Sequence, residues 1–537
     1  MEAEILSAQS RKNKFGQYFT PEAVAEFMID MAHITPTSKI LEPSCGEGVF
    51  LKLLQEKGFQ DITAYEIDKD LATEFPFVNY ESFVAAKISE KFDLIIGNPP
   101  YIRWKNLEEE LKAELAVNPL WNRYFNSLCD YLYIFILKSI ELLNENGQLI
   151  FICPEYWMNT THSVSLRNYM IQNGCFEEIY HFNETPIFDK VTVSVVIFKF
   201  VKTKKKDKKI KVTKFYANRK LTKETLENLK KKNSIEDAVY LEISQFKINE
   251  RWLLATDEVK NELQKIETAC RKPPMNLSLS LFESEKPVYY TIGEFCDIGN
   301  GLVSGLDKAF QISEHIDECH FTKYEKAATI HVVKAKDLKP FYANKTTKYI
   351  FVGDIASEDK LQELYPNFYS HLQPYKIDLT KRYQYNRKIN YWEWVFLRNI
   401  SLFNRPEKRI FVPCKERISN KNHFRFALVN EGVFPTQDVT AIFKKTTTQE
   451  SVEYILAYLN HPAIFNWLKY NGIIKGNIVE FSEKPIASIP FRKINWHDSR
   501  EVQLHEKITS LTQNFLSERN HGLLKEINNL FIQLLDI

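Results

Sequence analysis

The stretch Phe92-Asp93-Leu94-Ile95-Ile96-Gly97-Asn98-Pro99-Pro100-Tyr101 decides how this chain is read. Residues 92–96 are a short apolar run rich in β-formers, which predicts a strand buried on both faces. The run stops at Gly97. Asn-Pro-Pro then forbids a return to regular structure, because proline fixes φ and has no N–H. The expected result is a rigid platform at the C-terminal edge of a strand, where open α/β sheets bind their ligands. The platform offers a carboxamide (Asn98), carbonyls that precede prolines, and one aromatic ring (Tyr101). That set suits a planar ring bearing an amino group. The Asn98 Oδ1 and the Pro99 carbonyl can accept both amine hydrogens while Tyr101 stacks on the ring. A rigid loop with a surface tyrosine is the plainer alternative.

Upstream, residues 40–51 (Ile-Leu-Glu-Pro-Ser-Cys-Gly-Glu-Gly-Val-Phe-Leu) read as a strand, a glycine turn and a helix start. The turn lacks the third glycine of the pyrophosphate-binding pattern G-x-G-x-x-G. Glu42 at the strand end would repel a pyrophosphate but suits an ammonium group. Residues 62–68 predict a second strand. An acid at the end of such a strand commonly takes both ribose hydroxyls, and Glu66 fits that role, whereas Asp68 is better placed to cap a helix over 71–77. A short third strand leads to Glu81-Ser82-Phe83. Nearer the N-terminus, Thr20 is a good N-cap and Pro21 a good first helical residue. Val24, Phe27, Met28 and Met31 follow at helical spacing, so 21–32 predicts an amphipathic helix. Phe19-Thr20 would then cover a ligand while the helix start faces an anion, with a bare capped helix as the alternative. Residues 1–14 are polar and expected to be mobile.

Downstream, residues 130–143 predict an amphipathic helix, and Gly147 turns the chain into an apolar strand over 148–154. Residues 183–190 read as a loop and 191–200 as a long β-branched strand. The alternation predicts an α/β fold, a single doubly wound Rossmann-like sheet ending in a hairpin-like pair. The lysine-rich run 202–211 closes it, as a solvated turn or as a phosphate contact. From about residue 236 strands shorten and aromatics and charges increase, with a loop motif at 299–305. The expected organisation is a catalytic domain over 1–235, a mixed α+β domain over 236–495 and a helical segment over 496–537.

With 537 residues, two or three domains are expected. The eight cysteines are scattered, without a Cys-x-x-Cys pair or zinc-like histidine spacing, which predicts a reduced intracellular protein with no structural metal. No secretory signal opens the chain, and Lys138 and Glu141 interrupt its longest apolar run, so no membrane span is expected. Net charge is only +2, but it is unevenly placed. Residues 1–100 hold 9 basic and 16 acidic side chains, whereas residues 376–425 hold 13 basic and 4 acidic. In the latter stretch Lys381, Arg382, Arg387 and Lys388 alternate with Tyr383, Tyr385, Tyr391, Trp392 and Trp394, as a groove for a polyanion requires. Pairing of these charges with the acidic N-terminal region is the alternative.

These pieces together resemble the γ-type, TaqI-like DNA adenine-N6 methyltransferases of type II restriction–modification systems. The resemblance rests on Phe19-Thr20-Pro21, on residues 42–50, on Tyr65-Glu66-Ile67-Asp68, on Asn98-Pro99-Pro100-Tyr101, and on Phe188 ahead of the last strand, in that order. It covers about the first 200 residues with specific motifs, and the C-terminal domain only loosely. It implies S-adenosylmethionine as cofactor. Thr20, Pro21 and the Glu42-Pro43-Ser44-Cys45 turn would hold its methionine part, Glu66 its ribose, and Ile67 and Phe83 its adenine, with Asn98 and Pro100 adjoining. It also implies double-stranded DNA as substrate, a flipped adenine held by Tyr101 and Phe188, and catalysis by Asn98, Pro99, Pro100 and Tyr101. The C-terminal domain would recognise the target, with Lys381, Arg382, Arg387 and Lys388 on phosphates. A monomer in the bacterial or archaeal cytoplasm, serving alongside a separate restriction endonuclease, completes the expectation. The sequence departs from the family at one place. The family commonly has an acid before the phenylalanine at 83, which accepts from the cofactor's adenine amine, but here the residue is Ser82, with Glu81 beside it. Either Ser82 accepts that hydrogen bond or the contact is lost.

An RNA or protein-glutamine methyltransferase shares the Asn-Pro-Pro-Tyr platform but usually lacks the Phe-Thr-Pro element and a large basic C-terminal domain. A non-catalytic DNA-binding specificity subunit is the other alternative, and the intact platform argues against it. A fused nuclease is disfavoured, because few residues precede Phe15 and the tail has no carboxylate-rich nuclease motif.

Overall fold

The structure is a computed structural model. It describes residues 18–72, 74–188, 194–205, 207–217, 219–273, 289–312, 318–385, 387–418, 422–475 and 478–537. The N-terminal stretch 1–14 and residues 191–193 of the expected last strand lie outside them. The chain divides into two compact units, Met1–Lys260 and Asn261–Ile537.

The first unit is built on helices α1 (Glu22–Met31), α2 (Val49–Glu56), α3 (Glu109–Val117), α4 (Pro119–Tyr124), α5 (Leu132–Leu142), α6 (Val164–Asn173) and α7 (Lys223–Lys230). Its strands are β1 (Ile40–Glu42), β2 (Ile62–Tyr65), β3 (Val78–Asn79), β4 (Phe92–Gly97), β5 (Leu143–Pro154), β6 (Cys175–His181), β7 (Val195–Val201), β8 (Ile210–Phe215) and β9 (Ala238–Ile243). They form one sheet in the order β3-β2-β1-β4-β5-β7-β6-β8-β9. The β3-to-β5 part is parallel throughout, and β7 runs antiparallel between β5 and β6. The chain leaves β1 toward β2 and β3, then returns to β4 on the other side. The switch point therefore lies between β1 and β4, and their C-terminal ends border a crevice.

Alternation along β4 explains why its apolar run is continuous. Leu94 and Ile96 face the core made with α1, α2 and α7, whereas Ile95 faces the core made with α5 and α6. Both faces are covered, so the strand has no polar side.

Several local expectations are corrected. Helix α1 begins at Glu22. Pro21 is its cap residue at φ −60°, ψ 142°, and no side chain caps the helix, so the Thr20 hydroxyl is not used there. Strand β2 ends at Tyr65, which leaves Glu66 just beyond it. The described residues of 71–77 form turns, with Ala72 at φ 52°, because so short a segment cannot nucleate a helix alone and Phe75 turns inward. Helix α5 is buried nearly all round and not amphipathic; even Lys138 is covered. The turn between α5 and the body of β5 needs glycine, since a Cβ at Gly147 would lie 2.8 Å from the Phe92 carbonyl. The lysine-rich segment links β7 to β8, and the Lys202 Nζ donates to the carbonyls of Ile140 and Leu143, each at 2.9 Å. The expected boundary at 235/236 falls before β9, which pairs along its length with β8 and so belongs to the first sheet.

The second unit is mixed α+β. Its largest sheet has five strands, in the order Cys296–Asn300, Val439–Lys444, Arg409–Pro413, Ala427–Val429, Phe341–Tyr342. The motif at 299–305 therefore starts inside a strand. The C-terminal helices Ser499–Glu518 and Gly522–Leu535 are not an appendage. Phe515 meets Phe341 and Phe531 meets Tyr454, at ring separations of 5.0 and 5.4 Å. Among the described residues no helix is long and apolar enough to cross a membrane.

Candidate active site

The end of β1 and the residue after β2 bring two acids, Glu42 and Glu66, to the glycine turn that follows β1. Gly48 closes this turn at φ 82°, where a Cβ would lie 2.3 Å from the Phe75 ring, so only glycine fits. Glu66 accepts from the Gly46 N–H at 2.8 Å and from the Asp68 N–H at 2.9 Å, one bond to each carboxylate oxygen. Burial raises its pKa against those two bonds. Glu42 is 1% exposed, and its Oε2 has no hydrogen-bond partner among the described residues. Burial, and then the Glu66 charge, push Glu42 well above the usual carboxylate range.

Beyond β4 the Asn98 side chain is held by the N-terminal segment. Its Nδ2 donates to the Tyr18 carbonyl at 2.6 Å. Only the amide nitrogen can donate, so this bond also sets which way Oδ1 faces. That Oδ1 is buried without a partner among the described residues. The Tyr101 hydroxyl is likewise buried. Burial pushes it well above its ordinary range, against a smaller opposing pull from the Asn98 side chain.

Two adjoining clefts open on these groups. The larger, about 650 Å³, is lined by Pro43, Ser44, Glu66, Ile67, Glu81, Ser82, Phe83, Asn98 and Pro100, with Ile102, Leu111, Tyr131 and Phe135 as its apolar end. The smaller, about 330 Å³, is lined by Thr20, Glu42, Cys45, Glu47, Val49 and Phe50. Tyr18, Phe19, Gly46 and Asn98 border both. The cofactor, base and catalytic residues expected from the sequence are thus brought together, with four exceptions. Pro21, Pro99 and Tyr101 line neither cleft. Phe188 is buried in the core and approaches Tyr18, at 5.7 Å between rings.

Sequence reasoning missed four residues. Tyr18 stacks on Tyr101, with ring centroids 5.0 Å apart and planes 6° apart. Glu114 on α3 accepts from the Ser82 Oγ at 2.7 Å. Tyr131 stands on the same wall as Ser82. Lys138, buried in α5, donates to the carbonyls of Phe83, Val84 and Ala86 and sits 4.8 Å from the centroid of the Phe83 ring. Burial lowers the Lys138 pKa to about 8. The break that Lys138 makes in an apolar run was its only signal.

In the second unit the basic stretch divides in two. Arg382 is not available to a phosphate. Its guanidinium donates to the carbonyls of Ser304, Asn390, Tyr391 and Glu393 and lies over the Phe310 ring, and burial lowers its pKa to about 10. Tyr391, Trp392 and Trp394 are core residues. Lys381, Arg387 and Lys388 are exposed, as are Tyr383 and Tyr385, and Arg387 covers the Phe396 ring at 4.6 Å.

Residues 37–188 match the Eco57I restriction-modification methylase family. Over 520 residues the chain is 46% identical to the type II methyltransferase M.HindII of Haemophilus influenzae, covering 97% of both chains. The chain belongs to the type II methyltransferases of restriction–modification systems. The type II methyltransferase M.HincII of Haemophilus influenzae is 44% identical over the same share. The solved Type IIL restriction-modification enzyme MmeI, in complex with DNA, has the same fold with a TM-score of 0.57 at 12% identity, covering 100% of this chain and 75% of that one. The order of motifs is that of the γ class, the cofactor of this methyltransferase is S-adenosylmethionine, and its substrate is DNA.

Proposed function

We propose that this methyltransferase modifies the N6 amine of an adenine turned out of double-stranded DNA, and that it protects host DNA from a partner endonuclease. The observation that carries the reading is the Asn98 Oδ1, a buried acceptor with no partner among the described residues, held in place by the bond from Nδ2 to Tyr18. A buried acceptor left unpaired costs about 1–3 kcal/mol. An exocyclic amine supplies the missing donor.

The residues present fit the cofactor. The apolar end of the larger cleft suits a flat adenine between Ile67 and Phe83, with Ser82 at its polar edge. Glu66 suits a ribose diol. The smaller cleft suits an amino-acid head, with Thr20, Glu42 and Cys45 around it, and Gly46 and Asn98 border both clefts. When bound, the cofactor supplies an electrophilic methyl group whose sulfur leaves as a neutral thioether.

The chain's own residues prepare the nucleophile. The lone pair of an adenine N6 is delocalised into its ring. Acceptance of one N–H by the Asn98 Oδ1 and of the other by the Pro99 carbonyl favours a pyramidal nitrogen with that pair free. As the N–C bond forms, the nitrogen becomes positive, and the two acceptor dipoles stabilise it. The proton then passes to solvent. Pro100 keeps the loop rigid, and holding both reactants in register supplies much of the remaining rate. The amine is paired inside a duplex, so the base must leave the stack. Tyr101 and Phe188 hold it there, at roughly 1–3 kcal/mol per stacked base. The second unit reads the target sequence.

Incubating the protein with isotopically labelled S-adenosylmethionine and DNA, then identifying the labelled nucleoside by mass spectrometry, tests the reading. N6-methyladenine is expected. Labelled N4-methylcytosine, the other product an exocyclic amine can give, would overturn it.

A further inference from the structure

We infer that Glu114 is a positioning residue for the adenine end of the cofactor, acting through Ser82 to turn the serine hydroxyl into an obligate acceptor. The inference rests on the cofactor reading of the larger cleft.

A serine hydroxyl has one proton and two lone pairs, and it normally rotates to suit either a donor or an acceptor. Here it cannot. The Ser82 Oγ donates to the Glu114 carboxylate at 2.7 Å, which commits the proton. The Ala85 N–H, at 3.4 Å, and the Tyr131 hydroxyl also approach the same oxygen, both as donors, so Ser82 has no proton left to offer the cleft that it lines. What Ser82 presents to a ligand is therefore an oxygen that only accepts, polarised by the carboxylate behind it.

The surroundings fix this arrangement. Glu114 is one helix-face residue of α3 pointing into the wall, and Leu111 and Leu115 anchor the same helix in the core. Burial raises the Glu114 carboxyl above its usual range, while the Ser82 hydroxyl and the Lys138 ammonium work against that. Lys138 in turn ties down the carbonyls of Phe83, Val84 and Ala86, the turn that carries the ring wall of the cleft. Loop and helix, distant in sequence, thus converge on one hydroxyl.

Of the hydrogen-bonding groups on adenine, only the exocyclic amine donates once the base is joined to ribose. An acceptor-only Ser82 favours that amine and repels a carbonyl in its place. Glu81 also lines the cleft and is exposed, so it is the competing acceptor. The two are separable by selectivity, which a merely structural role would not move.

The test measures binding of S-adenosylhomocysteine and of its 6-oxo counterpart, S-inosylhomocysteine, by calorimetry on the full chain. The wild-type protein should prefer the adenine ligand by roughly five- to tenfold, the worth of one hydrogen bond. Glu114→Gln offers an amide N–H to the serine and lets its proton turn toward the cleft. In this variant the ratio should fall to near one, largely through tighter binding of the 6-oxo ligand. Ser82→Ala should lose the preference as well. Selectivity retained in Glu114→Gln but lost in Ser82→Ala would overturn the role of Glu114. Loss in Glu81→Gln, with Glu114→Gln unaffected, would move the contact to Glu81 and overturn it too. A wild-type protein that binds neither ligand would overturn the cofactor reading of the cleft and this inference with it.

Discussion

The Tyr18 ring lies flat on the Tyr101 ring, with centroids 5.0 Å apart and planes 6° apart, and the Phe188 ring stands 5.7 Å from that of Tyr18. Tyr101 otherwise packs against the core that holds Ile102 and Trp121. A base that stacks on Tyr101 must therefore take the place of Tyr18. Breaking an aromatic pair forfeits about 0.5–1.5 kcal/mol. Tyr18→Ala removes that cost and leaves the backbone carbonyl that orients Asn98. It should tighten binding of DNA carrying 2-aminopurine at the target position by up to about tenfold, with a larger fluorescence rise. Unchanged or weaker binding would show that Tyr18 stays in place as a wall of the base site.

The orphaned Oδ1 of Asn98 makes a sharper demand. Asn98→Ala should lower kcat by roughly 10²–10³, the usual cost of one preorganised dipole at the reacting atom. Binding of S-adenosylhomocysteine should change little, since that ligand lacks the target amine. Wild-type turnover in Asn98→Ala would sink the mechanism. A large loss of cofactor-product binding would mean that the carboxamide only builds the cleft.

Glu42 makes stability depend on pH in the ligand-free protein. Its folded pKa lies well above the ordinary value of 4.5, so the folded chain binds that proton more tightly than the unfolded chain does. The stabilising contribution is complete below 4.5 and is lost as pH rises through the folded value. Glu42→Gln removes the buried charge. Its Tm should exceed that of the wild type at pH 7, by roughly 2–4 °C for each kcal/mol recovered, and the gap should close as pH falls toward 4. Binding of S-adenosylhomocysteine should weaken at the same time. Equal Tm values at pH 7, measured by calorimetry, would show that Glu42 is not destabilising.

What could be read in the sequence was whatever a short window encodes. The run at 92–96, the acids ending β1 and following β2, and the Asn-Pro-Pro platform all declare themselves within ten residues, because strand period and proline chemistry are local. What could not be read depends on partners far along the chain. Asn98 meets Tyr18 across 80 positions, and Ser82 meets Glu114 across 32. Glu114 sits in a run of glutamates that looks like any solvated helix face. Lys138 looks like the polar side of an amphipathic helix until α5 proves to be covered all round. The expected boundary near 236 followed a change in composition, but strand β9 lies beyond that change, and composition does not record pairing.

The basic stretch of the second unit gives a prediction in which neighbouring cations behave oppositely. Arg382 donates to four backbone carbonyls and is half-buried, whereas Arg387 is exposed and covers Phe396 beside Tyr383 and Tyr385. A phosphate contact releases counterions, so losing one should reduce the slope of log affinity against log salt by about 0.9. Arg387→Ala, Lys381→Ala and Lys388→Ala should each do this, alike on cognate and non-cognate DNA, because phosphates carry no sequence. Their Tm should hardly move, since exposed cations contribute little to stability. Arg382→Ala should do the reverse. It strips donors from carbonyls that hold the 304 and 390–393 segments together, so Tm should fall while the salt slope of the remaining folded protein stays put. Salt titrations of DNA binding, paired with melting curves for all four variants, decide the matter. A slope change in Arg382→Ala without loss of Tm would return Arg382 to the DNA-facing surface. Unchanged slopes in the other three would remove that surface from the DNA altogether.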